Sequence, residues 1–281
     1  MEFNITLSNT RYGHLMTDED SFLTKNNIFC VADGITRDPS SPLDFGDMAP
    51  EEILKNYPRP SGAKKAADLF CKEFIKNVDH GKTVKEAFLH GNQAIYKLNK
   101  KNIEKVDYLV NDFYACVASG GIIKNGKLYW GQICDCGIIV FNKKGTIKFT
   151  TTNGMQPFQE YINGREGRWG DPARRHLIRS QFRNNPNQII NGNLVSYGAL
   201  TGEKRAEYFF KFGELKIGKG DLIVFYSDGF EHLVEKKDFF KVIYRPAEEK
   251  ITQNFLDFDK EWSKNNQGLY GRERTLIATI I

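Results

Sequence analysis

Long hydrophobic runs are missing from this sequence: nowhere do apolar residues continue for the roughly 18 positions that a membrane-spanning helix needs. Cysteine is sparse, and its count of five (Cys30, Cys71, Cys116, Cys134, Cys136) is odd and irregularly spaced. That argues against a disulfide framework and reads as reduced, buried thiols. The pair in Cys134-Asp135-Cys136 would share one face of a strand, but no second Cys or His pair lies nearby in sequence to complete a zinc shell. Internal repeats, low-complexity tracts and dividing linkers are missing too, so residues 1–281 read as one domain near the upper size for a single core. Met1-Glu2-Phe3-Asn4-Ile5 carries neither a basic leader nor an apolar stretch, and the expected location is cytoplasmic. An excess of one charge sign is also lacking. Forty Lys and Arg stand against 35 Asp and Glu, interleaved along the chain, and a net charge of +5 does not point to nucleic acid.

What is present is an ordinary globular composition, 40% hydrophobic and 27% charged, arranged with clear periodicities. Residues 27–33 form an apolar run ending in Asp33-Gly34, a strand followed by a turn. Residues 35–62, rich in Pro, Asp, Ser and Gly, read as a long loop. Helical spacing predicts one helix from Ser61 or Gly62 through Phe74 and a second from about Thr83 through Leu98. Strand character follows over 113–123, 127–133, 137–142 and 146–151, with a turn at Lys124-Asn125-Gly126. Residues 154–195 read as a basic, helical or irregular insertion, with six arginines between Arg165 and Arg183 and with Asp171-Pro172 as a helix start. Strands are expected again at 206–212 and from Asp221 to Ser227. A helix is expected at about 247–264, and a last strand runs from Thr275. Strands in runs, with helices in pairs, predict an α+β layered domain.

Acids stand at four places where the chain leaves or enters an apolar strand: Asp18-Glu19-Asp20, Asp33-Gly34, Ser227-Asp228-Gly229 and Arg272-Glu273. In an antiparallel sheet the end of one strand lies beside the start of its neighbour, so these carboxylates would converge on one rim. Clustered carboxylates repel one another unless protons or cations neutralise them. Oxygen-only ligation selects hard ions such as Mg²⁺ or Mn²⁺. Two such ions about 3.5–4 Å apart clamp a phosphoryl group and make a nucleophile of bound water. One Asp-Gly after a strand is usually only a turn; the order and spacing of all four carry the reading.

These motifs resemble the metal-dependent Ser/Thr protein phosphatases of the PPM, or type 2C, family, in its bacterial form. Glu19-Asp20 is similar to the family's early acidic pair, Val31-Ala32-Asp33-Gly34 to its Asp-Gly motif, and Gly220-Asp221-Leu222-Ile223 leading into Ser227-Asp228-Gly229 to its late motif. The segment through Ile133-Cys134-Asp135 resembles the one that carries a third-metal ligand. The resemblance implies a four-layer α-β-β-α sandwich of two antiparallel sheets flanked by helices, with the 154–195 segment as a flap. It implies Mn²⁺ or Mg²⁺ as cofactor, two ions being expected. The implied ligands are Glu19, Asp20, Asp33, the Gly34 carbonyl, Asp135, Asp228 and Glu273, with Asp33 and Asp228 catalytic. A phosphorylated protein is the implied substrate, with attack by a metal-activated water. His14 and His232 are candidate acids for the leaving group, though a surface-helix position is the readier account of His232.

Three places depart from the family pattern. Arg272 stands where the closing motif has a metal-binding Asp, so either Glu273 swings in or one metal site is weakened. Leu15 stands where a phosphate-binding Arg is common, with Arg11 and Arg37 as substitutes. Asp112-Phe113-Tyr114 replaces a Gly-Thr turn, and Cys134 a Gly. The alternative reading is therefore a pseudophosphatase that binds phosphate or protein without turnover. A nuclease reading finds no nucleic-acid module to support it. The flap arginines read equally as a site for an acidic partner or as a solvated helix face paired with Glu166 and Asp171.

Overall fold

The computed structural model describes residues 2–7, 18–35, 57–108, 111–163, 172–236, 238–244, 248–264 and 273–281. Arg11, His14, Leu15, Arg37 and Arg272 lie outside them, as do Arg165, Glu166, Asp171 and most of the 35–62 loop. Period-2 alternation explains the layers. In β3 (Ile28–Ile35), Phe29 and Val31 enter one apolar cluster while Ile28, Cys30 and Ala32 enter another. In β11 (Leu222–Tyr226), Ile223 and Phe225 join Phe29 and Val31, while Leu222, Val224 and Tyr226 turn to a third cluster. Phe29 stacks on Phe225 with ring centroids 5.6 Å apart, joining the two strands across the middle of the molecule. Because both faces of these strands are buried, their sequences read as unbroken apolar runs.

Two five-stranded antiparallel sheets result. One has the order β1 (Glu2–Leu7), β12 (Arg274–Ile280), β11, β6 (Gly137–Phe141), β7 (Ile147–Thr150). The other has the order β10 (Lys211–Lys216), β5 (Lys127–Ile133), β4 (Ala115–Lys124), β3, β2 (Ser21–Lys25). Helices α1 (Gly62–Asp79) and α2 (Val84–Asn102) cover the outer face of the second sheet with Ala66, Phe70, Phe74 and Phe88. Both begin at the predicted caps. The Ser61 hydroxyl accepts from the Lys64 amide at 3.0 Å, and Thr83 and Glu86 form a reciprocal capping box. Within residues 154–195 lie α3 (Gln156–Ile162), α4 (Pro172–Gln181) and a small hairpin, β8 (Ile189–Ile190) with β9 (Asn193–Leu194). Helices α5 (Glu231–Val234), α6 (Phe239–Tyr244) and α7 (Glu248–Ser263) cover the first sheet through Leu233, Phe239, Ile243 and Phe255. The expected four-layer α-β-β-α sandwich is the fold observed.

Four local expectations need correction. β3 does not end at Asp33-Gly34 but runs on to Ile35, because Asp33 and Gly34 still pair with Val117 and Cys116 of β4. Residues expected as a strand from 206 instead make a 3-10 helix over Lys204–Phe209, and β10 begins only at Lys211. Cys134-Asp135-Cys136 lies in the tight connection between β5 and β6, with Cys134 at a φ of 66°, and not on a strand face. Arg179 and Arg183, for which a solvated helix face was one of two expectations, are buried. Arg183 donates to both oxygens of Asp112 at 3.0 and 2.7 Å, and Arg179 Nε lies 3.0 Å from the same carboxylate. Guanidinium groups withdrawn from water need an anion, and Asp112, just ahead of β4, supplies it. The Tyr108 and Phe113 rings flank the Arg183 guanidinium at 5.3 and 5.8 Å.

This cluster fastens α4 to the strand that pairs with Asp33. Burial alone would raise the Asp112 carboxyl, but the Arg183 and Arg179 guanidiniums hold it below the usual carboxylate range. A depressed pKa in the folded state means the stabilisation is present above the unfolded value and lost as pH falls through the folded one. Asp112→Asn is expected to destabilise the protein by about 3–5 kcal/mol at neutral pH. In urea unfolding, the gap between wild type and variant should narrow below about pH 4; an unchanged gap there would refute the assignment.

Candidate active site

The strand order brings the acidic motifs to one end of the sandwich. In the first sheet, Tyr226 at the end of β11 pairs with Leu276 near the start of β12 and with Gly137 at the start of β6. In the second, Ser21 at the start of β2 pairs with Ala32, and Ala118 pairs with both Ala32 and Ile133 at the end of β5. The Cys134-Asp135-Cys136 connection carries the chain from β5 to β6 and so ties the two sheets together at this same end. Asp20, Asp33, Asp135, Asp228 and Glu273 all stand there.

Hydrogen bonds fix the segments that carry them. The Ser227 hydroxyl donates to Asp20 Oδ2 at 2.6 Å and accepts from the Thr275 amide at 2.9 Å. The Ser227 amide in turn donates to the Thr275 carbonyl at 2.9 Å. One serine thereby joins the ends of β11 and β12 to the acid preceding β2. Glu273 uses both carboxylate oxygens on that same segment, accepting from the Glu19 and Asp20 amides at 2.7 Å each. Glu19 is buried and accepts from the hydroxyls of Tyr57 and Ser61. Ser61 thus caps α1 and holds Glu19 at once. Gly34 lies against this junction: a Cβ there would come within 2.8 Å of the Glu19 carbonyl oxygen and of the Ala63 main chain. Only glycine lets the strand and the helix start approach so closely.

The electrostatics are those of buried carboxylates that repel one another. Burial pushes the Asp20 carboxyl up to about 7, with the Ser227 hydrogen bond pulling it down and the Asp228 charge raising it further. Burial, then the charges of Asp20, Asp228, Asp135 and Glu273, drive Asp33 well above the usual carboxylate range. Burial and Asp228 take Asp135 to about 7. Burial and Asp20 take Glu273 to about 9 in spite of its two amide donors. Asp228 therefore acts on Asp20, Asp33 and Asp135 alike. Asp33, Asp135, Asp228 and Glu273 keep partial exposure, so the rim is open to a ligand from solvent. Among the described residues, no three His, Cys, Asp or Glu side chains close into a ready metal cluster.

His232 is exposed on α5. All five cysteines are free and buried. Burial raises the Cys30, Cys116, Cys134 and Cys136 thiols, which keeps them protonated packing groups. Sequence reasoning missed Tyr57, Lys64 and the second use of Ser61. The helix-capping signal at Ser61 was visible, but nothing local marked its partner 42 positions away.

Solved structures of bacterial Ser/Thr phosphatases share this sandwich fold. The catalytic domain of the serine/threonine protein phosphatase PstP, solved with two manganese ions, superposes with a TM-score of 0.60 at 14% identity, covering 100% of this chain and 98% of that one. The PPM Ser-Thr phosphatase MsPP from Mycobacterium smegmatis, solved with cacodylate, gives 0.58 at 13% identity over 99% of this chain and 97% of that one. RsbX, solved with magnesium, gives 0.52 at 11% identity over 99% and 92%. No family model and no curated protein matches the sequence itself.

Glu273→Gln would replace one accepting oxygen with an NH₂ donor facing a backbone N–H, leaving that amide unsatisfied. The expected cost is about 1–3 kcal/mol in thermal or urea unfolding. Wild-type stability in the variant would mean that Glu273 does not hold the Glu19-Asp20 segment.

Proposed function

We propose that this chain is a metal-dependent phosphoprotein phosphatase acting on phosphoserine or phosphothreonine. The observation that carries the reading is the convergence of Asp20, Asp33, Asp135 and Asp228, from four separate segments, on one rim where Asp20, Asp135 and Asp228 raise the proton affinity of Asp33 and Asp228 raises that of Asp20 and Asp135. Carboxylates arranged at such cost suit a hard divalent cation, which would displace the protons they otherwise retain. Mn²⁺ or Mg²⁺ fits the oxygen-only donor set, two ions being the expected number. Asp33, Asp135, Asp228 and the Gly34 carbonyl would hold them, and the cation when bound supplies Lewis acidity that lowers the pKa of coordinated water.

The remaining residues position this set. Ser227 orients Asp20. Glu273 fixes the Glu19-Asp20 backbone and has no oxygen left uncommitted, so its role is positioning first and ligation second. Glu19, held by Tyr57 and Ser61, stands behind Asp20 as a support. The three solved relatives in fold include one with manganese and one with magnesium, and two carry Ser/Thr phosphatase in their names, which supports the same reading.

The test is hydrolysis of a phosphothreonine peptide by the purified chain with Mn²⁺, with Mg²⁺ and with chelator. Turnover should require the metal and fall by at least about 10²-fold in Asp228→Asn, in keeping with the loss of a group that holds the reacting centre. A folded protein that binds Mn²⁺ yet hydrolyses nothing would transfer the assignment to a phosphate- or protein-binding module.

A further inference from the structure

Phosphate monoesters arrive at such a rim as dianions. The carboxylates of Asp20, Asp33, Asp135, Asp228 and Glu273 gather more negative charge than two divalent ions cancel when all are ionised, so a dianion needs a further cation beside them. Lys64 meets that need. It lies in the first turn of α1, beside the Gly34–Ala63 contact, and its ammonium donates to the Asp20 main-chain carbonyl at 2.6 Å. The same nitrogen stands 3.0 Å from Asp68 Oδ1, which also accepts from the Ser21 hydroxyl at 2.8 Å. Two contacts thus fix the ammonium at the edge of the acid cluster without placing it on any of the cluster's carboxylates. An ammonium has three N–H donors, so one remains for a ligand. The Lys64 side chain keeps 27% of its surface exposed, and Asp68, at 39%, is a solvent-screened partner that neutralises it only in part.

We propose that Lys64 is a substrate-binding residue that receives the phosphoryl oxygens and selects for the dianionic group. This rests on the phosphatase reading for its substrate but not for its chemistry, since inorganic phosphate tests it directly. The competing account is a strut, in which Lys64 only ties the Asp20 backbone to α1 through Asp68.

Lys64→Met, Lys64→Arg and Asp68→Asn separate the two. With the Mn²⁺-loaded protein, inorganic phosphate binding by calorimetry is expected to weaken about tenfold in Lys64→Met and to be kept within about threefold in Lys64→Arg. In Asp68→Asn it should tighten, because the ammonium loses its competing carboxylate. KM for the phosphopeptide should follow phosphate affinity while kcat changes less. Phosphate affinity unchanged in Lys64→Met, with equal losses of thermal stability in Lys64→Met and Asp68→Asn, would overturn the proposal and establish the strut. A wild-type chain that turns nothing over but binds phosphate through Lys64 would sink the phosphatase reading and leave this one standing. Absence of phosphate binding by the wild type would sink it.

Discussion

Carboxylates that share a poorly solvated rim raise one another's proton affinity, and the whole end of this sandwich is organised around that repulsion. Asp33 feels Asp20, Asp228, Asp135 and Glu273 together, on top of the cost of its own burial. Nothing in the packing of the sheets demands acids at these positions. The interior between the sheets is made by Phe29, Val31, Ile223 and Phe225, and it stops where the acids begin. The stable apolar layer is what allows the rim to be electrostatically unfavourable, since hydrophobic burial along the strands offsets the local cost.

The rim also depends on a topological coincidence that only the antiparallel arrangement supplies. Asp33 lies near the end of β3, Glu19 and Asp20 just before β2, Asp228 just after β11 and Glu273 just before β12. Starts and ends alternate around an antiparallel sheet, so acids at starts and acids at ends fall on the same edge. The β5–β6 connection then joins the two sheets at that edge and contributes Asp135. A shift of register by one residue in β3 would turn Asp33 from the face it shares with Phe29 and Val31 to the face of Ile28 and Cys30.

Much of this was legible in the sequence because it is written in local patterns. The caps at Ser61 and Thr83 marked the starts of α1 and α2, and the apolar runs of β3, β6 and β11 marked strands. Acid after strand marked the rim. What was not legible depends on contacts far apart in the chain. The persistence of β3 through Asp33-Gly34 is fixed by pairing with Val117 and Cys116, which overrides the local turn preference of Asp-Gly. The burial of Arg179 and Arg183 is fixed by Asp112, some seventy positions away, whereas composition alone reads them equally as a site for an acidic partner or a solvated face. The 3-10 turn at Lys204–Phe209 carries an aromatic-rich sequence that reads as strand until its own short-range backbone bonds are seen.

The fold contains two solutions to the same problem of an inward-facing acid, and the contrast says what each is for. Asp112 is neutralised by two arginines, and Asp259 by the bidentate guanidinium of the buried Arg274, with contacts of 2.6 and 2.8 Å. Those pairs cancel charge, and they fasten α4 and α7 to the sheets. At the rim, the donors to Glu19, Asp20 and Glu273 among the described residues include hydroxyls and amides: Tyr57 and Ser61, Ser227, and the backbone of Glu19 and Asp20. Neutral donors satisfy lone pairs and fix geometry, but they leave the charge in place. Even Lys64 reaches the Asp20 carbonyl and Asp68 and stops short of the Asp20 carboxylate. Arginines thus pair with the structural acids Asp112 and Asp259, while hydroxyl and amide donors set the geometry of Glu19, Asp20 and Glu273.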